Sequence, residues 1–312
     1  MYREKQKEEN VNIVFDDGGI GDAIGRLPAV KYAHDMHPHV KFYLWIPDYF
    51  YGIALRSLPK RINIKKFTDG KHYNETYAGR HFAIPHHNNL ACHITDNAFN
   101  MILNKSVENK YKNYLPVYTD DISIKRFGLP KNYIIVSTGF TAPVREFLPE
   151  HVNKVVQYIK FKNYTPVFLG KEEAHNGSGY TIKGNFREEI NYDKGINLLN
   201  KTSLLETHAI IKNAKTIVGL DNGLLHLAGT TDIPIVGGFT TVDPEHRMPY
   251  RHDQMGWNYY PVVPTQDLKC RFCQSNWNFT YDHDFKECYY KDYLCIKQLN
   301  ADLYIKELEK IL

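Results

Sequence analysis

The segment Val11-Asn12-Ile13-Val14-Phe15 is a short, largely β-branched run that ends at once in Asp16-Asp17-Gly18-Gly19-Ile20-Gly21-Asp22. Ile24, Leu27, Val30 and Ala33 then recur at helical spacing as far as His37-Pro38. A buried strand, a glycine turn and a helix in that order open an α/β unit. Further strands are predicted at 40–46, 62–67 and 82–85, with irregular polar sequence between them, which gives a small doubly wound sheet. Near residue 130 the pattern restarts. Gly128-Leu129-Pro130 punctuates, Tyr133 to Val136 forms a second β-branched run ending in Ser137-Thr138-Gly139, and a helix over 149–161 leads to a strand at Pro166-Val167-Phe168-Leu169-Gly170. A helix over 204–214, a strand over 216–220, a helix starting at Asn222 and a strand over 233–238 continue the βαβ rhythm. The reading is two consecutive Rossmann-like domains, residues 1–130 and 131–312, with no sequence repeat between them.

Length supports this division, since 312 residues exceed the usual span of one domain. No apolar run reaches the roughly 18 residues of a spanning helix, and the leader MYREKQKEEN is polar from its first residues. The expectation is a cytoplasmic protein without signal peptide or anchor. The net charge of +4 is unevenly placed: residues 1–130 hold 18 Lys/Arg against 14 Asp/Glu, whereas 131–312 hold 21 of each. An excess confined to one domain points to an anionic partner there, with ordinary scatter among charges as the plain alternative.

Two constellations can carry chemistry. In the first turn, Gly19-x-Gly21 lacks the third glycine at dinucleotide spacing, because Gly25 falls one residue too late, so hydride transfer is not indicated. What remains is a turn that admits another molecule to the backbone, with Asp22 at a helix start beside a strand's carboxyl end. Asp22 is then either a site residue or a simple helix cap. The second constellation is Val218-Gly219-Leu220-Asp221-Asn222-Gly223-Leu224-Leu225-His226-Leu227-Ala228-Gly229. Here Asp221 and Asn222 supply capping side chains, the amides at Asn222 and Gly223 suit a phosphate, and His226 lies one turn on, as a ligand-facing residue or a core histidine.

These blocks, together with Leu27-Pro28-Ala29-Val30 and Lys201-Thr202-Ser203-Leu204-Leu205-Glu206, resemble glycosyltransferase family 9, the family of the ADP-heptose:lipopolysaccharide heptosyltransferases. The resemblance runs in order from about residue 11 to the C-terminus. It implies a GT-B architecture: an α/β protein of two Rossmann-like domains facing across a cleft, acceptor on the first and nucleotide-sugar on the second. It makes Asp22 the catalytic base of an inverting, metal-independent transfer, with Gly19, Gly21 and Arg26 on the acceptor side. Ser137, Thr138, Thr141, Arg145, Asn222 and Gly223 match the family's phosphate-binding positions. Glu172 or Glu173 matches the acidic residue that holds the ribose, and Asp221 and His226 would face sugar and diphosphate.

Two departures stand out. Asn222 replaces the family's more frequent threonine, and the stretch from Thr240 to His252 is unusually rich in Arg and His, so that it either adds cations near the diphosphate or forms a solvated loop. The cysteines form a further set. Cys270-x2-Cys273, Cys288 and Cys295 fit a structural zinc site, or packing or redox-active thiols, with Cys92 apart. The first acceptor expected is an anionic saccharide of the lipopolysaccharide-core type. DNA is the alternative, because Arg56, Lys60, Arg61, Lys65, Lys66 and Lys71 could track phosphates, the chain is similar to bacteriophage-encoded relatives of the family, and phages glycosylate hydroxylated pyrimidines in their own DNA. A catalytically dead nucleotide-sugar-binding protein is the third reading.

Overall fold

A computed structural model describes residues 10–15, 19–67, 80–84, 92–138, 143–171, 173–175, 181–183, 189–264, 268–275, 288 and 290–312. The first sheet contains β1 (Asn10–Phe15), β2 (Lys41–Pro47), β3 (Asn63–Phe67) and β4 (Arg80–Ile84), all parallel in the order β3-β2-β1-β4. Helices α1 (Ile20–Met36), α2 (Tyr51–Ser57) and α3 (Ile94–Leu103) accompany it. The second sheet begins with β5 (Tyr133–Ser137), followed by α4 (Pro149–Phe161) and β6 (Thr165–Leu169). A small hairpin of β7 (Glu173–His175) and β8 (Thr181–Lys183) precedes β9 (Ile196–Asn197). Then come α5 (Leu204–Lys212), β10 (Ile217–Leu220), α6 (Gly223–Ala228) and β11 (Ile235–Gly238). A second hairpin, β12 (Tyr250–Arg251) with β13 (Gln254–Met255), leads to β14 (Tyr259–Val262) and the terminal helices α7 (Leu294–Gln298) and α8 (Ala301–Glu309). The six main strands are parallel in the order β14-β11-β10-β5-β6-β9. No described helix is long and apolar enough to cross a membrane.

The predicted strands and helices recur with boundaries shifted by a residue or two, but α2, α3, α7, β9, β14 and the hairpins β7–β8 and β12–β13 were not foreseen. The inner strands of the second sheet are apolar on both sides. Ile135, Val167, Ile217 and Ile235 face one layer while Ile134, Val136, Val218 and Val236 face the other, the period-2 alternation of a sheet covered on both faces. The outer layer is closed by Val152, Val155, Val156 and Ile159 of α4 and by Ala301, Tyr304 and Leu308 of α8. The inner layer is not confined to its own sheet. One continuous apolar cluster joins Ile13, Leu44 and Ile46 of the first sheet, through Ile24 and Leu27 of α1, to Leu225 and Leu227 of α6 and Ile210 of α5, and on to Ile135 and Ile217.

Polar clasps reinforce this junction. His93 caps α3, its Nδ1 accepting from the Thr95 amide (3.1 Å) while Nε2 donates to the Met248 carbonyl (2.9 Å). The Asn113 side chain and Asp253 exchange two hydrogen bonds, and the Tyr114 amide donates to the Tyr250 carbonyl at 2.8 Å. His208 of α5 shares hydrogen bonds with Thr119 (2.8 Å) and Thr230 (3.1 Å). Burial pushes both imidazoles down from the ordinary 6.5 to about 4, against a raising contribution from the Met248 carbonyl at His93 and with Lys212 adding to the depression at His208.

Between pH about 6.5 and about 4 the unfolded chain therefore takes up protons that the folded chain refuses, so folding stability drops as pH falls across that window. Thermal midpoints recorded from pH 7 to pH 4 are expected to decline, and His208→Gln is expected to flatten the decline; equal slopes for the two proteins would contradict this assignment.

Candidate functional site

Parallel strands leave their carboxyl ends on one edge of a sheet, where loops and helix starts converge. At that edge of the second sheet sit Ser137 and Thr138 after β5, Asp221 and Asn222 after β10, and Thr240 and Thr241 after β11. Arg145, Asp221, Gly238, Thr240 and Thr241 line a tight recess there. From the first sheet, α1 begins at the carboxyl end of β1 and delivers Asp22 in its first turn. Asp22 Oδ2 accepts from the Gly19 amide at 3.2 Å, so its capping role is real. Its other oxygen, Oδ1, accepts from Arg247 Nη1 at 3.2 Å.

That ion pair joins the two sheets. Arg247 is buried, and Asp22 and Asp221 raise its pKa against the opposing effect of burial. Asp221 is buried as well, with Arg145 Nη1 3.6 Å from its Oδ2 and His226 Nε2 3.5 Å from its Oδ1. Burial alone would raise the Asp221 pKa, but the hydrogen bond from His226 and the charges of Arg145 and Arg247 hold it well below the usual carboxylate range. Tyr114 shares a hydrogen bond of 3.0 Å with His226 Nδ1 and stacks on the ring, and burial raises its phenol pKa. Arg145 is oriented further by Gln274, whose Oε1 accepts from Nη2 at 2.7 Å and from Thr241 Oγ1 at 2.9 Å.

The expected residues sort into three groups. Asp22, Arg145, Asp221 and His226 meet in this cluster, and buried Arg26 stands beside Asp22, its guanidinium over the Phe15 ring. Asn222 is committed to structure, with Oδ1 accepting from the Leu224 amide (2.9 Å) and Nδ2 donating to Ser137 Oγ (2.9 Å). Thr138 is buried next to it in sequence. Thr141 and Glu172 lie outside the described residues, as does the Glu173 side chain. The Arg- and His-rich stretch is not a solvated loop: Thr240, Thr241, Arg247, Tyr250 and Arg251 are all buried, and Arg251 donates to the Thr231, Ile233 and Trp257 carbonyls. Tyr114 and Gln274 were missed, and nothing local distinguishes either from an ordinary loop residue.

The glycines explain how two helices from different sheets come so close. A Cβ on Gly21 would stand 2.5 Å from His226 Cδ2, and one on Gly223 would stand 3.1 Å from Ile20 Cβ. Gly223 is therefore packed against α1. At the chain's other end Cys270, Cys273, Cys288 and Cys295 lie within electrostatic reach of one another. Burial first, and then the neighbouring thiols, push Cys273 up to about 11 and Cys295 up to about 12. Among the described residues, no group of three or more His, Cys, Asp or Glu side chains stands in metal-binding geometry.

Gly21→Ala is expected to displace His226 from Asp221 and Tyr114 and to cost about 1–3 kcal/mol in chemical denaturation. Gly19→Ala, whose added Cβ would find nothing nearer than 3.7 Å, serves as the tolerated control.

Comparison with known proteins accords with this geometry. The sequence profile described as glycosyltransferase family 9 (heptosyltransferase) matches residues 99–274, more than half of the chain. No curated protein sequence matches. Among solved structures the chain is similar to TibC from enterotoxigenic E. coli, described as a dodecameric iron-containing glycosyltransferase, with 18% identity, TM-score 0.73 and coverage of 99% of this chain and 77% of that one. It is also similar to a family 9 glycosyltransferase from Veillonella parvula, with 13% identity, TM-score 0.68 and coverage of 99% and 98%. E. coli ADP-heptose LPS heptosyltransferase II matches at 12% identity and TM-score 0.63, over 97% and 98% of the two chains. These likenesses establish a fold shared with the heptosyltransferases, and on the profile match the chain belongs to glycosyltransferase family 9.

Proposed function

We propose that the protein transfers a sugar, with inversion at the anomeric carbon, from a nucleoside-diphosphate sugar to a hydroxyl of an anionic saccharide. The observation that carries this is the meeting of Asp22 from the first sheet with Arg145, Asp221 and Arg247 from the second in one partly buried cluster. In this scheme residues 1–130 hold the acceptor and residues 131–312 the donor. The acceptor hydroxyl gives its proton to the Asp22 carboxylate as its oxygen forms a bond to the anomeric carbon. The bond from that carbon to the diphosphate oxygen breaks, and its electron pair leaves with the diphosphate. A single displacement from the face opposite the leaving group inverts the centre. The charge that develops on the diphosphate is met by Arg145 and Arg247, so the cations of this scheme are guanidiniums.

Asp221 fixes Arg145 and His226, and Tyr114 fixes the far side of the imidazole, so that little reorganisation accompanies charge development. The positive excess of residues 1–130 supports an anionic acceptor. The basic stretch offers a nucleic acid less than its composition suggests. Arg56 is held by Asp121 at 2.6 Å and Lys66 by Asp48 at 2.5 Å, while Lys71 lies outside the described residues. Cys270, Cys273, Cys288 and Cys295 are free thiols, as in a reducing compartment, and the reading keeps the reaction in the cytoplasm.

ADP-heptose, the ligand of TibC, is the first donor to test within a panel of nucleotide sugars. Diphosphate release is expected to depend on both donor and saccharide, whereas no release with any pair would leave only a binding protein. Asp22→Asn is expected to lower transfer about 10²–10⁴-fold while diphosphate binding survives; a fully active variant would remove Asp22 as the base.

The gathered thiols have the donor chemistry of a structural metal site, as in zinc-bound cysteine sets, and TibC is described as containing iron. In the same proposal, a metal held there would fasten 268–275 to 288–298 and leave the transfer chemistry untouched. Elemental analysis is expected to find close to one zinc or iron per chain, lost in Cys273→Ser together with several degrees of thermal midpoint. Metal-free protein of unchanged stability would leave the thiols as packing.

A further inference from the structure

Arg247 is the residue with too many obligations. It lies in the stretch that departs most from the family pattern, it is 8% exposed, and it donates to Asp22 at 3.2 Å while Asp221 also acts on its charge. Its Nε is buried with no hydrogen-bond partner among the described residues. A buried guanidinium N–H with no acceptor is a donor left unspent, and an anion is the partner that would satisfy it.

We propose that Arg247 is a shared guanidinium, which holds the Asp22 carboxylate in the donor-free protein and is drawn over to the diphosphate when the donor binds, so that donor binding is what frees Asp22 to accept a proton. The inference rests on the reading of Asp22 as base and of this recess as the diphosphate site. Three features favour it. First, Arg247 contacts the carboxylate of one sheet from a segment anchored on the other, so it is placed to report on both ligands. Second, Arg145 is tied down by Gln274, Thr241 and Asp221, whereas among the described residues the side chain of Arg247 hydrogen-bonds to Asp22 alone. Third, a carboxylate paired with a guanidinium is a poor proton acceptor, so an Asp22 that kept Arg247 throughout would be a weak base at the moment of attack.

Linkage turns the proposal into a binding experiment. If diphosphate weakens the Asp22–Arg247 pair, then breaking the pair must tighten diphosphate by the same factor. Calorimetric titration of the full-length protein with ADP, and separately with inorganic pyrophosphate, is expected to show Asp22→Asn binding about fivefold or more tighter than the unaltered protein. Arg247→Gln is expected to bind roughly 10–100-fold more weakly, and in that background Asp22→Asn should change affinity less than about twofold. Arg247→Lys retains a cation and should recover most of the coupling. If Asp22→Asn binds ADP and pyrophosphate no more tightly than the unaltered protein, or tightens them equally with and without Arg247, the shared-guanidinium role is wrong and simple repulsion between anions suffices. The first of these readings needs no Arg247 variant, so an unstable Arg247→Gln protein does not protect the proposal. A non-additive cycle in a protein that turns over no nucleotide sugar would remove the proposed reaction and keep the coupling; normal transfer with an additive cycle would do the reverse.

Discussion

Everything at the site depends on how near α1 and α6 can come. Helices that pack through ordinary side chains lie roughly 8–10 Å apart, and at that separation a first-turn carboxylate on one would not share a guanidinium with the base of the other. Gly21 removes the side chain that would strike the His226 ring, and Gly223 removes the one that would crowd Ile20. The glycines that read in the sequence as openings for a ligand therefore serve first as openings for a neighbouring helix. The reward is that Arg247 pairs with Asp22 of one half while lying within electrostatic reach of Asp221 of the other.

The electrostatics follow from that closeness. Five charged side chains out of bulk water would be untenable singly, since each isolated charge carries a desolvation cost of several kcal/mol. They persist through mutual compensation: Asp22 pairs with Arg247, Asp221 with Arg145 and with the imidazole of His226, and Arg26 feels the charge of Asp22. Tyr114 and Gln274 extend the pairing outward with uncharged partners. Cations from two loops thus converge on carboxylates from two helix starts.

Much of the fold was legible because the local signals were strong. The β-branched runs that became β1, β5 and β10 and the period of α4 needed no tertiary information. Helix α3 was missed although Ile94, Ala98, Phe99 and Ile102 recur at helical spacing, because its cap is His93, a residue seldom read as a start signal. Strand β14 contains Pro261, which argues against an inner strand and is tolerated here at a sheet edge. At the site, Asp22, Asp221 and His226 were legible because they stand at strand-to-helix junctions. Tyr114 and Gln274 were not, since each acquires its place from a partner over a hundred residues away, a relation that no local pattern encodes, and Arg247 was legible only as one cation of a basic stretch.

The apolar cluster that runs unbroken from Ile13 to Ile217 has a meaning for motion. Enzymes built from two independent bodies can swing them apart like the covers of a book to admit and expel ligands. Here the spine of the book is the core itself, and opening it would wet Ile24, Leu27, Leu225 and Leu227 at once. Separating the two sheets would therefore carry a hydrophobic cost that two independently cored domains do not meet.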